Sequence, residues 1–144
     1  MPNGLIKTAA LACLLALPAL AIQSPAASAA QPGECTRATG QVETRNWQAM
    51  TTRQPDGSDG VEVVGEVQVP NPGVEPLLRL SEQQGRNPLV LNVDLYLCQL
   101  PGMWTQALAW KPVRLDPPST GEFTQAHILG ADGDVALIEV EASQ

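Results

Sequence analysis

The single histidine of the chain limits the catalytic chemistry that the sequence can support. A Ser–His–Asp triad would need His127 beside a serine nucleophile, and none of the candidate serines lies in a G-x-S-x-G motif. Those candidates are Ser58, Ser81, Ser119 and Ser143. One histidine and two cysteines that we expect to be oxidised leave too few ligands for zinc. We therefore expect no catalytic residues, no metal site and no cofactor, and the sequence favours a protein that is not an enzyme.

Two aspartate-containing stretches could supply oxygen ligands to calcium. They are Asp56-Gly-Ser-Asp59-Gly and Asp132-Gly-Asp134. Calcium binds carboxylate oxygens on flexible loops, but neither stretch has the EF-hand spacing with its closing glutamate. Asp-Gly pairs in β-proteins are mostly turns. We expect turns at both places and keep calcium as a weaker alternative.

Met103 and Trp104 are the best candidates for a binding site. They lie in Leu100-Pro101-Gly102-Met103-Trp104, between two segments with strand character. Tryptophan is common at the centre of protein interfaces, so the pair could anchor a partner. Because large apolar residues are usually buried, the competing and preferred interpretation is that Trp104 folds back to cap the domain.

The first thirty residues have the pattern of a secretory signal peptide. One positive charge, Lys7, precedes the short apolar run Thr8 to Ala21, and small residues end in Ala27-Ser28-Ala29-Ala30. This order is typical of an export signal, and the run is too short to cross a bilayer as a helix. We predict a signal peptide at residues 1–30, a single domain at residues 31–144, and no integral membrane segment after cleavage. The predicted location is the periplasm or the medium of a bacterium.

Removal of residues 1–30 would leave two of the three cysteines, Cys35 and Cys98. An even number in an oxidising compartment predicts one disulfide. This disulfide would close the loop from Cys35 to Cys98. In the chain-entropy account, closing a loop of this length stabilises the fold by about 4 kcal/mol. The alternative is a pair of free thiols. Because Cys98 falls on the less apolar side of its strand, we expect the bond to pin a terminal segment to the outside or rim of a sheet.

The chain is acidic, with 15 acidic and 8 basic residues and a formal net charge of −7. The arginines and lysines are scattered, whereas phosphate binding needs them clustered. The composition therefore argues against nucleic acid or an anionic membrane as the partner. A protein partner with a basic surface agrees better with this charge.

Alternation of apolar and polar residues predicts strands along the rest of the chain. Val61–Val69 and Leu89–Cys98 have the clearest period of two. Weaker strands are predicted within Cys35–Thr44, and at Val74–Leu80, Gln106–Leu115, Phe123–Leu129 and Asp134–Val140, the last two forming a hairpin around Gly130-Ala131-Asp132-Gly133. Trp110 is assigned to the core with Leu108, and Asp94 to a solvent-exposed face.

About seven short strands with frequent turns predict an all-β domain, an antiparallel β-sandwich of immunoglobulin-like architecture, with a small barrel as the alternative. Such a rigid scaffold without a catalytic set suggests a non-catalytic binding or accessory protein that recognises another protein through its loops. A periplasmic inhibitor or a component of an envelope complex would fit this description. The alternative is a carrier of a small ligand or of calcium.

Overall fold

The computed structural model of this chain describes residues 34–39 and 41–142, and every regular element among them is a strand. The strands are β1 (Cys35–Arg37), β2 (Thr44–Arg53), β3 (Asp59–Val69), β4 (Val74–Leu80), β5 (Val90–Gln99), β6 (Ala109–Arg114), β7 (Ser119–Thr120), β8 (Gln125–Leu129) and β9 (Asp134–Glu141). The predicted all-β class is confirmed. The predicted signal peptide at residues 1–30 lies outside the described residues.

The strands form one curled, mixed sheet. Hydrogen-bonded neighbours follow the order β1-β5-β8-β9-β2-β3-β6, while β4 pairs with β5 and β7 pairs with β3. Two pairings are parallel, β5 with β8 and β2 with β9, and the others are antiparallel. The prediction of a wholly antiparallel sheet is therefore wrong. Each parallel pair joins strands far apart in the sequence, which alternation along one strand does not reveal.

The core lies between the apolar sides of β3 and β5. Val63, Val67 and Val69 of β3 are fully buried, and so are Val93 and Leu95 of β5. Successive residues of a strand point to opposite faces, so an alternating sequence gives each strand one apolar side. Both strands agree with the sequence prediction to within two residues at each end.

The ends of the sheet approach each other at β4 and β6. Leu78 and Leu115 form an isolated parallel bridge across this seam, and the Lys111 ammonium pairs with the Glu75 carboxylate. Both leucines are buried. At the other junction, β9 pairs along most of its length with β8 but meets β2 only at Ala49 and Met50. Strand β9 therefore connects the two halves of the sheet.

A bulge in β2 turns Trp47 toward the core. The pairing of β2 with β3 shifts between Arg45 and Gln48, and Asn46 has a positive φ of 54°. An extra residue of this kind re-aims the side chains that follow it. The Trp47 ring then lies directly over Gly65, where a Cβ atom would collide with the indole. Glycine is required at position 65 because the Trp47 ring occupies the space of a side chain.

The predicted disulfide is present between Cys35 and Cys98. The two residues are direct cross-strand partners, so the bond joins the short strand β1 to the C-terminal half of β5. As expected, it pins the first described strand to the sheet and does not cross the core. In the described residues there is no helix long and apolar enough to span a bilayer.

Substitution of Gly65 with alanine should destabilise the fold by about 1–3 kcal/mol, because the added methyl group must displace the Trp47 ring from a packed site. Urea unfolding measured by tryptophan fluorescence gives the free energy. The matched control is Gly85→Ala, where the new Cβ would meet only the Asn92 side-chain nitrogen at 3.5 Å. The control should stay within about 0.5 kcal/mol of the parent. Equal losses in the two variants would contradict the account of Gly65.

Candidate functional site

The loop that carries Met103 and Trp104 crosses one end of the sheet. The chain leaves β5 after Gln99, passes over the turn between β3 and β4, and enters β6 at Ala109. The Leu100 backbone N–H donates to the Gly73 carbonyl at 2.8 Å, which fixes the start of the loop on that turn. We refer to residues 100–108 as the crossing loop. No charged residue occurs between Gln99 and Trp110.

Trp104 and Met103 have different environments within the crossing loop. The Trp104 indole lies against Gly73, whose missing side chain makes room for the ring, and its Nε1 donates to the Leu100 carbonyl at 3.1 Å. Trp104 retains 37% of its exposure, whereas Met103 is completely exposed and Leu108 is 70% exposed. Trp104 thus packs back onto the domain, as the capping interpretation holds, and Met103 projects beside it.

Asn71 stabilises the turn below the crossing loop. Its side chain is buried, its Oδ1 accepts from the Gly73 backbone N–H at 2.9 Å, and its Nδ2 donates to Gln99 Oε1 at 3.0 Å. The turn is thereby held to the end of β5. Asn71, in Pro70-Asn71-Pro72-Gly73, was not among the candidate residues predicted from the sequence. The signal that could have identified it is an asparagine two residues before a glycine, since such side chains cap their own turns.

The outer face of β5 is more enclosed than expected. Asp94 is only 8% exposed and accepts a hydrogen bond and ion pair from Arg37 Nη2 of β1 at 2.7 Å. The expectation of a solvent-exposed Asp94 is therefore wrong. A buried carboxylate needs a partner, and β1 supplies it because the disulfide holds that strand alongside β5.

Trp110 lies on the outer face of the sheet, so its assignment to the core is wrong. It pairs with Gln68, which alternates with the buried valines of β3, and the Arg45 guanidinium lies 4.0 Å from its ring centroid. Arg45 also bonds to the Glu66 carboxylate at 3.0 Å. The Arg45 guanidinium, helped by the Asn46 amide, lowers the pKa of Glu66 below its ordinary value. This cation–π and ion-pair group covers the tryptophan from outside.

His127 pairs with a carboxylate of the neighbouring strand. Its Nε2 lies 2.9 Å from Asp134 Oδ1 across the β8–β9 hairpin. In the described residues the hydroxyls of Ser58 and Ser81 bond to Asp56 and to the Gln83 carbonyl instead. Ser143 lies outside the described residues.

The two aspartate stretches considered for calcium are occupied by local contacts. Asp56 Oδ1 accepts from the Ser58 backbone N–H and hydroxyl, and these two bonds lower the pKa of the Asp56 carboxyl. Asp59 faces Arg53, and Asp134 faces His127. Within residues 34–39 and 41–142, no three His, Cys, Asp or Glu side chains are grouped so that they could hold a metal ion. The stretches act as turns in this fold.

The different environments of Trp104 and Met103 predict that their substitution affects the free energy of unfolding differently. Trp104→Ala should lower the free energy of unfolding by about 1–2 kcal/mol, less than for a fully buried tryptophan because the ring is partly exposed. Met103→Ala should leave it unchanged within about 0.5 kcal/mol. Thermal and urea unfolding of the two variants measures this difference. A large loss in Met103→Ala would place that residue in the core and remove it from the candidate site.

Comparisons of the chain with models of protein families, with the sequences of curated proteins and with solved structures find no match.

Proposed function

We propose that this chain is an exported, non-catalytic binding protein that recognises another protein through the crossing loop. The observation that carries this proposal is the complete exposure of Met103 beside Trp104. An exposed methionine next to a tryptophan is a costly arrangement for a free surface, and it is typical of binding sites. A role as an inhibitor or as an accessory component of an envelope complex agrees with it.

The crossing loop has the rigidity that a binding site needs. Hydrogen bonds tie Leu100 to Gly73 and the Trp104 indole to Leu100, and Asn71 holds the underlying turn to β5. A loop ordered before binding loses less conformational entropy when it meets its partner. Met103 can therefore enter an apolar socket of the partner without rearrangement of the loop.

Acidic side chains near the crossing loop indicate the kind of surface that it would meet. Glu34 lies beside the end of β5, since its carbonyl accepts from the Gln99 N–H, and Glu43 lies beside the end of β3 through its bond from Gln68. Glu75, half exposed next to the same turn, is already paired with Lys111, so Glu34 and Glu43 supply the acidic character. We infer that the partner surrounds its apolar socket with lysine or arginine, because complementary charge speeds and orients association.

Export to an oxidising compartment is the second part of the proposal. It is supported by the signal-like residues 1–30 and by the Cys35–Cys98 bond, since structural disulfides persist mainly outside the cytosol. In this proposal the two halves of the curled sheet pack as a sandwich-like scaffold that presents the loop. The periplasm and the medium both satisfy this chemistry.

The test is capture of a partner from envelope and culture-fluid extracts with the oxidised protein as bait, read by mass spectrometry. Met103→Asp should abolish capture, because a carboxylate in an apolar socket has no partner there. The control Leu137→Asp changes a residue that is 62% exposed on β9, away from the crossing loop, and should leave capture intact. Raising the salt concentration should also weaken capture.

A partner retained equally by the parent and by Met103→Asp would show that the crossing loop is not the binding site. Complete absence of a stoichiometric partner at low salt would contradict the binding function itself. The carrier of a small ligand would then become the better account, since the outer face of β5 holds a polar pocket.

A further inference from the structure

The outer face of β5 contains a pocket of about 590 Å³ that the proposed protein-binding function does not use. Its floor is formed by the outward side chains of β5, Asn92, Asp94 and Tyr96. Arg37 of β1 and Leu129 of β8 line one side, and Arg79 of β4 with the segment 80–83 lines the other. The volume is that of an ordinary small-molecule site.

Two arginines converge on the floor of this pocket from opposite sides. Arg37 is in register with Tyr96 but bonds to Asp94. Arg79 is in register with Asp94, yet its guanidinium lies 5.4 Å from the centroid of the Tyr96 ring. Each side chain therefore reaches diagonally over β5, Arg37 to Asp94 and Arg79 to Tyr96, so that both cationic groups lie above the same strand.

Several hydrogen-bond donors at this site have no partner within the part of the chain that the structure describes. Arg37 contacts Asp94 through Nη2 alone, although a guanidinium carries five N–H donors. Arg79 has no carboxylate within 4.0 Å, and its contact is the ring of Tyr96. The Tyr96 hydroxyl makes no hydrogen bond to a described residue. Unused donors of this kind can bind an acceptor that enters the pocket.

We propose that this pocket binds a small organic carboxylate. The planar fork of Arg79 matches the two oxygens of a carboxylate, which makes the pair bidentate and directional. Arg37, held in place by the enclosed Asp94, supplies a second donor, and the Tyr96 hydroxyl supplies a third. This site is separate from the crossing loop, so its occupancy does not depend on the protein partner.

The charges around the pocket set the expected strength of binding. Asp94 balances Arg37, and the Glu82 carboxylate in the lining opposes an anion. The chain as a whole is also acidic. Binding therefore depends on directed hydrogen bonds more than on net charge, and it is expected at millimolar concentrations. Removing the Glu82 charge should tighten it.

Titration of the oxidised, isotope-labelled protein with succinate, followed by NMR, tests this proposal. Saturable shifts are expected at the amides of residues 92–96 and at the Arg79 Nε–H. Succinamide, the neutral analogue of succinate, should cause none at matched ionic strength. Arg79→Gln should weaken succinate binding at least tenfold, and Glu82→Gln should strengthen it about threefold. The control is Arg86→Gln, an exposed arginine outside the pocket lining that should bind as the parent does.

Three results would overturn the proposal. They are the absence of saturable shifts, equal shifts with succinamide, and unchanged affinity in Arg79→Gln. Arg79 is exposed, so its replacement should not unfold the domain. If a melting curve nevertheless shows unfolding, Arg79→Lys replaces it, because lysine keeps the charge but lacks the planar fork. Undiminished binding in that variant would equally contradict a bidentate contact.

Discussion

The packing of the apolar side of β3 against that of β5 is the interaction on which the rest of this structure depends. Valines of β3 and leucines and valines of β5 fill one continuous core, and their burial is nearly complete. Removing this much apolar surface from water is the largest favourable term available to a small domain. Strands β1, β4 and β8 pair with β5, strands β2, β6 and β7 pair with β3, and β9 links β8 to β2.

When one face of a strand packs in the core, the opposite face can carry polar side chains. On β5 that side holds Asp94 and Tyr96, which become enclosed because β1 and β4 flank the strand and contribute arginines. On β3 it holds Glu66, which receives Arg45. The crossing loop lies elsewhere, at the end of the sheet, where backbone turns and not side-chain alternation determine the surface. The crossing loop and the pocket on the outer face of β5 therefore lie on different parts of the fold.

Sequence periodicity predicted the strands whose alternation is strong and missed relationships between distant segments. The valines of β3, the leucines of β5 and the Asp-Gly hairpin were recognisable because each pattern is local. Strand β2 was missed because its sequence is polar, and a bulge, not alternation, directs Trp47 inward. The partner of Asp94 and the outward position of Trp110 depend on which strands become neighbours. A single strand carries no information about its neighbours.

The central place of β9 has a consequence for the order in which the domain can form. Strand β9 is the last of the described strands, yet it joins the half of the sheet that contains β5 to the half that contains β3. During synthesis from the N-terminus, the apolar sides of β3 and β5 emerge before the strand that unites them. Most contacts among the described residues join positions far apart in the sequence, and such high contact order slows folding. The two halves of the sheet can therefore be joined only after the segment Asp134–Glu141 has been made.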